Sequence, residues 1–316
     1  MILALSGGVG GARMLHGLEA VLGPDELTAV VNTGDDFDIH GLHVMPDVDS
    51  VLYTLAGLND EERGWGLAAE SWNFMDAVRR LGGEAWFALG DRDLATHVLR
   101  TEWLRQGASF SEATRMLCER LQVSTAVHPM SNDPVAMQLR CDGEWMSFQD
   151  YFVRHRCEPV VSELRLLGVQ QASPLPDWFE PLQRSEFDAV VICPSNPFLS
   201  IDPILQLAGV RDALASFSGP VVAVSPLIGG KSVKGPAAKL MRELGHDPSC
   251  VGIANIYADL LDVFLIDVSD REQVLQLEQQ GLIVGTGDIL MLGDAGRKRV
   301  AQLTMDLVAK ARAALA

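Results

Sequence analysis

Positive charge is scarce in this 316-residue sequence. Its 25 Lys and Arg stand against 42 Asp and Glu, a formal net charge of −17 and a pI near 4.7. A surface of that sign repels nucleic acid and anionic membrane at long range, so neither is expected as a partner. A phosphorylated substrate would need local help from a metal, backbone N–H groups or a few Arg and Lys. Cysteine is present but unorganised. Cys118, Cys141, Cys157, Cys193 and Cys250 show no CxxC or CxxH spacing. That argues against zinc and against a disulfide framework, and fits a reducing, cytoplasmic setting. The first residues, Met-Ile-Leu-Ala-Leu, lack the basic n-region and the length of a signal peptide. No uninterrupted apolar stretch reaches the roughly 18 residues of a membrane span. There is no low-complexity tract and no internal repeat.

Familiar catalytic and nucleotide signatures are also missing. Ser6-Gly7-Gly8-Val9-Gly10-Gly11 is not the GxGxxG dinucleotide fingerprint, and no Gly-Lys-Ser/Thr follows it. Gly230-Lys231-Ser232 has the ending of a phosphate loop, but the upstream glycine position holds Ser225. That match reads as chance, with Lys231 and Lys234 left as candidate phosphate contacts. No Ser–His–Asp or Cys–His pairing stands at readable spacing, which weakens a hydrolase with a covalent intermediate. The absent fingerprint also disfavours a dinucleotide-dependent dehydrogenase.

What is there is an ordinary globular balance, 48% hydrophobic and 21% charged, with length for one large or two modest domains. Ile2–Leu5, Leu27–Asn32, Ala189–Cys193 and Pro220–Ser225 are short apolar runs that read as buried parallel strands. Val263–Ile266 and Leu282–Val284 continue the set. Helical spacing separates them over Ala12–Leu22, Val48–Leu58, Ala68–Leu81, a stretch ending at Leu104, Pro236–Leu244 and Arg297–Leu315. Ser109 and Glu112 have capping-box spacing. From Thr125 the pattern changes: His128–Pro134 reads as an irregular polar loop. Val135–Arg140 and Glu144–Phe148 then flank the hairpin signal Asp142-Gly143. Phe148–His155 reads as helix, Glu163–Val169 as strand, and Gln170–Ser185, with three prolines, as a connector. The expected fold is α/β, a doubly wound, Rossmann-like, mostly parallel sheet with a helical and antiparallel insert. Residues 1–124 would form its N-terminal half, 125–185 the insert and 186–316 the C-terminal half.

The chemistry gathers in loops past the strand ends, where open α/β sheets bind ligands. The Gly-rich turn opens a helix whose N–H groups suit a phosphate. Thr33–Asp49 carries Asp35, Asp36, Asp38, Asp47 and Asp49, oxygen ligands for a hard divalent cation such as Mg²⁺. Pro194-Ser195-Asn196-Pro197 supplies neutral hydrogen-bond partners on a stiff loop. Arg92, in the dense polar block from Leu89 to His97, is one of few basic groups nearby and a candidate anion contact. Arg63-Gly64-Trp65-Gly66 is a loop whose Trp reads as a cap on the core, with a stacking surface for a ring ligand as the alternative. If the strands ahead of these loops are neighbours, amides, hydroxyls and a carboxylate-held metal share one rim. That set suits a phosphoanhydride.

Several blocks then line up with a known family. Ser6–Gly11, Val31-Asn32-Thr33-Gly34-Asp35-Asp36, Pro46-Asp47-Val48-Asp49, Leu89-Gly90-Asp91-Arg92-Asp93-Leu94-Ala95-Thr96-His97, Met130–Pro134, Pro194–Pro197 and Ser225–Gly229 together resemble the CofD family, the 2-phospholactate transferases of coenzyme F-420 biosynthesis (FbiA in mycobacteria). The resemblance implies a Mg²⁺-dependent phosphotransferase that forms a phosphodiester. The ribityl hydroxyl of the deazaflavin FO attacks phosphorus in a guanosine diphospho-conjugate of a three-carbon acid: 2-phospholactate, phosphoenolpyruvate or glycerate. GMP leaves. By position, Asp35 and Asp49 would be catalytic, Asp35, Asp47 and Asp49 would hold metal, and Asp49 would touch FO. Gly7, Gly8, Gly10, Thr33, Arg92, Ser195 and Asn196 would bind substrate. A homodimer is also implied. One departure stands at Ala88, where some archaeal members carry a Lys. Two rivals remain at this level: a YvcK-like UDP-sugar-binding regulator, which shares the Gly-rich start and the acid pair, and a pyrophosphorylase that would release pyrophosphate from GTP.

Overall fold

Alternation along the apolar runs decides the architecture. In the computed structural model, which describes residues 1–315, the first run is β1 (Ile2–Ser6), and every residue in it is buried. Ile2 and Ala4 pack into one hydrophobic cluster, Leu3 and Leu5 into another. The same split recurs at Val190 and Ile192 against Ala189 and Val191. A strand covered on both faces has no solvated side, hence continuous rather than alternating hydrophobicity. Removing a side chain there, as in Leu5→Ala, costs about 2–5 kcal/mol.

The strands in chain order are β1, β2 (Leu27–Val31), β3 (Phe37–Ile39), β4 (Leu42–Val44), β5 (Ala126–Pro129), β6 (Ala136–Cys141), β7 (Glu144–Ser147), β8 (Val161–Leu167), β9 (Ala189–Ile192), β10 (Val221–Val224), β11 (Leu227–Ile228), β12 (Lys231–Ser232), β13 (Val263–Asp267) and β14 (Ile283–Gly287). Seven form one sheet in the order β14-β13-β10-β9-β1-β2-β5. Every pairing in it is parallel, with Ile2 opposite both Leu27 and Ala189. The order runs outward in both directions from β1 and β9, so the chain reverses direction of growth between them. That is the topological switch point of a doubly wound sheet. Helix α1 (Gly8–Leu22) and the closing helix Gly293–Leu315 cover one face together. β10, β9, β1 and β2 are consecutive neighbours in the sheet, so their strand-end loops share one rim, the condition the sequence left open.

Three local expectations need correction. β5, the edge strand paired with β2, lies where the pattern changes after Thr125 and runs into the start of the loop read over His128–Pro134; its four residues end in Pro129, which leaves too little pattern to see. The antiparallel sheet β7-β6-β8 therefore begins after it. The Gln170–Ser185 connector contains a helix, Pro176–Gln183, that buries Trp178 and Leu182. Pro176 sits at its first position, where a missing N–H costs nothing. Finally, Ala68–Leu81 is helical only as α3 (Asn73–Arg80). Among the described residues no helix is long and apolar enough to cross a membrane, and all five cysteines are free thiols.

Candidate active site

A cavity of about 980 Å³ opens at the switch point. Its floor is the Gly-rich turn, which is the first turn of α1 rather than a loop before it. Gly8 has φ +65, a left-handed backbone that favours glycine. A Cβ at Gly10 would lie 2.4 Å from the Pro194 carbonyl oxygen, and one at Gly7 2.6 Å from Asp47 Oδ2. The glycines let the β9 loop and a carboxylate come against the helix start. Ser195 locks this contact: its Oγ donates to the Gly7 carbonyl at 2.7 Å and accepts from the Gly7 amide at 3.2 Å. Asn196 caps the turn after β9, accepting from the Phe198 and Leu199 amides, while its buried Nδ2 keeps no protein partner among the described residues. Gly8, Val9 and Gly10 line the cavity at the N-terminus of α1, and a helix N-terminus is an anion-binding arrangement.

The acidic stretch is not one loop. The hairpin β3–β4 separates Asp35 from Asp47 and Asp49, which lie in the first turn of α2 (Pro46–Leu55). All three line the cavity and are buried. Asn32, at the end of β2, ties two of them together: its Nδ2 donates to Asp47 Oδ2 at 2.9 Å and to Asp35 Oδ1 at 3.4 Å. Burial, then the neighbouring Asp47 and Asp36, holds the Asp35 carboxyl well above the usual range. Burial pushes Asp47 up to about 6, against the pull of the Asn32 side chain and the Gly8 amide. Neither has an ion-pair partner among the described residues. Two buried oxygen-donor carboxylates held above their usual range, one of them partly by the other, beside a Gly-rich helix start, fit Mg²⁺, which binds through one or two carboxylates plus substrate phosphates.

Asp49 is different. Arg100, fully buried, takes both of its oxygens, Nη1 at 3.0 Å and Nη2 more closely. His97 Nδ1 lies 3.6 Å from Asp49 Oδ2 and its Nε2 3.2 Å from Asp93 Oδ1. Tyr53 donates to Asp93 at 2.6 Å. Burial would raise Asp93, but hydrogen bonds from His97 and Tyr53 and the Arg100 charge outweigh it and leave its pKa lowered. The spacing 93, 97, 100 puts these groups on one face of α4 (Asp93–Arg105). Among the described residues no group of three or more His, Cys, Asp or Glu is placed to hold a metal ion. Of the three acids read from the sequence as metal ligands, Asp49 faces a guanidinium, whereas Asp35 and Asp47 share the Asn32 amide.

Two of the sequence candidates lie elsewhere. Arg92 is exposed, donates Nη1 to the Ala68 carbonyl at 2.8 Å and does not line the cavity. Its neighbours explain the block. Asp91 accepts from the Asn73 and Phe74 amides at the start of α3, and Glu70 accepts from the Arg92 and Asp93 amides at the start of α4. Each helix is capped by a carboxylate from beside the other, so Arg92 is set by capping, not by anion binding. Thr33 lines a separate cavity of about 340 Å³ with Asp36 and His43.

Of two further cations, Lys234 is a candidate phosphate contact from the sequence, and Arg13 carries no sequence signal strong enough to single it out. Arg13, on α1, and Lys234 both line the cavity. Burial lowers the pKa of each, and the nearby Arg13 lowers that of Lys234 further. Two cations set close together beside helix N–H groups favour an anion between them. Lys231 does not line the cavity, whereas Trp65 does. A second wall is aromatic: Phe148 stacks on Phe152 at 5.3 Å, and Trp86 and Phe87 stand beside Ala88. Arg154 lies 4.5 Å over Trp86, binding the insert to that segment.

Comparison with known proteins gives the chain's family. Residues 2–308 match the family described as 2-phospho-L-lactate transferase CofD. A phosphoenolpyruvate transferase from Kitasatospora aureofaciens is 39% identical over 318 residues, 98% of each chain. A 2-phospho-L-lactate transferase from Methanosarcina mazei is 38% identical over 304 residues, 96% of this chain and 99% of that one. The crystal structure of protein BH3568 from Bacillus halodurans superposes with a TM-score of 0.64 at 15% identity, covering 96% of this chain and 98% of that one. That likeness is one of fold.

Proposed function

The chain belongs to the CofD family of 2-phospho-L-lactate transferases, and from that membership we propose that it transfers a phospho-three-carbon-acid group from a guanosine diphospho-conjugate to FO in coenzyme F-420 biosynthesis. The observation that carries this reading is the buried Asp35–Asp47 pair, without a cation among the described residues, in the same cavity as the Gly-rich helix start.

The amides of Gly8–Gly10, with Arg13 and Lys234, hold the diphosphate. Ser195 and Asn196 fix the β9 loop against it. Asp35 and Asp47 would hold Mg²⁺, which neutralises phosphoryl charge when bound. The wall of Trp86, Phe87, Phe148 and Phe152 takes the planar deazaflavin. Asp49, fixed by Arg100, keeps lone pairs for the attacking hydroxyl and orients it. A bond forms from the FO hydroxyl oxygen to the phosphorus bearing the acid. The bond from that phosphorus to the bridging oxygen breaks, and GMP leaves with the oxygen. The hydroxyl proton passes to a base at Asp49 or Asp35. Phosphoryl transfer of this kind needs alignment and charge neutralisation more than covalent help.

The two relatives named for different acids differ by one percentage point in identity, 39% against 38%. Similarity therefore does not choose the acid. The test is incubation with FO, Mg²⁺ and each guanylylated acid, with mass analysis of the products. Equal amounts of GMP and an FO phosphodiester support the reading; pyrophosphate from GTP, or no FO product with any donor, rejects it. Light scattering checks the proposed homodimer.

A further inference from the structure

Of the cations that line the cavity or pack behind it, Arg63 and Arg154 have carboxylate partners. Arg63 binds Asp60 at 2.6 Å and the Leu67 carbonyl at 2.9 Å. Arg154 pairs with Glu84 at 3.1 Å and Asp150 at 3.2 Å. Arg13 and Lys234 line the same cavity without an ion-pair or hydrogen-bond partner among the described residues, and are assigned above to the diphosphate. Arg156 lines the cavity too, but no carboxylate, carbonyl or aromatic ring among the described residues engages its guanidinium. Its backbone is unusual. Arg156 has φ 50 and the next residue, Cys157, φ 58. Two successive left-handed non-glycine residues are strained and persist only where neighbours enforce them.

Here the neighbours do. The Cys157 amide donates to the Tyr151 carbonyl at 2.9 Å and the His155 amide to the Asp150 carbonyl at 2.8 Å. Tyr151 is fully buried. The turn is rooted at Gln149, whose Nε2 donates to the Asp35 backbone carbonyl at 3.0 Å. A strained, anchored turn thus joins an unpaired guanidinium to the segment that carries the Asp35 carboxylate.

We propose that Arg156 determines donor specificity by binding the carboxylate of the three-carbon acid. This rests on the transferase reading above. The cavity already holds Asp35, Asp47 and Asp49, in a chain of net charge −17. A substrate carboxylate entering it meets repulsion unless a cation receives it. A guanidinium matches a carboxylate with two parallel hydrogen bonds, and an ammonium does not. Phospholactate and phosphoenolpyruvate both carry that carboxylate on the carbon bonded to the ester oxygen. Arg156 therefore selects the class, an acid rather than an alcohol, and does not by its charge separate lactyl from enolpyruvyl.

The test compares two donors, guanosine diphospholactate and the ethyl ester of GDP, which lacks the carboxylate. Wild type should favour the first. Arg156→Gln should lower kcat/KM for it roughly 10- to 100-fold, mainly through KM, and leave the ethyl ester within about twofold. Arg156→Lys should restore only part. Equal losses on both donors, or none on either, overturn the proposal. A wild type that uses both donors equally overturns Arg156 alone; one that uses neither overturns the reaction reading with it.

Discussion

Asp35, Asp47 and Asp49 look alike in sequence and differ in what surrounds them. Asp35 is buried against other carboxylates; Asp49 is buried against Arg100. Their substitutions should separate accordingly. Asp35→Asn removes a charge the fold disfavours, so the melting temperature should rise, on the order of a few degrees, while transfer is lost. A fall in melting temperature would contradict the burial argument. Asp49→Ala instead leaves Arg100 buried and unpaired, and should cost about 3–5 kcal/mol in urea unfolding. A loss of activity in that variant mixes chemistry with stability, which makes Asp49→Ala a poor probe and Asp35→Asn a good one. The acids and glycines were legible because their residue types carry the chemistry. Asn32, Arg100 and Arg156 were not. Arg100 lies past the recognisable block and is tied to Asp49 only through the packing of α4 against α2. Arg156 depends on a backbone conformation that no local composition announces.

The helices α3 and α4 show how a polar motif can be structural. Gly90 lets Glu70 approach, since a Cβ there would meet the Glu70 side chain at 2.1 Å, and Asp91 and Glu70 then cap opposite helices. Hydrogen bonds from Ser71 and the Phe74 amide hold the Asp91 carboxyl well below the usual range. Its stabilising effect is present above the unfolded pKa and is lost only as pH falls through the depressed folded one. Amide exchange in the first turn of α3 should therefore stay protected as pH drops through 4. Asp91→Ala should speed it by roughly fivefold to tenfold. Exchange that opens at pH 4 in wild type would refute the cap. Arg92→Ala should leave kcat/KM within about twofold, and a tenfold loss would return Arg92 to the site. Strands buried on both faces were readable as apolar runs. β5 and the helix Pro176–Gln183 were masked, one by brevity and one by prolines that mark a helix start as readily as a loop.

The molecule as a whole places its chemistry by strand order. β1 and β9 are far apart in sequence and adjacent in the sheet, so Gly7 and Ser195 meet across 188 residues. The sequence alone predicts that the loops share a rim only if their strands are neighbours; the sheet order meets that condition. In the proposed function, convergence of the Gly-rich turn with Asp35 and Asp47 would turn a common α/β scaffold into a site for a metal-bound diphosphate. Calorimetric titration of GDP with and without Mg²⁺ probes that convergence most directly. Mg²⁺ should tighten GDP at least tenfold in wild type and have no effect on GDP binding by Asp47→Asn; GDP affinity indifferent to Mg²⁺ in wild type, or coupling that survives in Asp47→Asn, would contradict it.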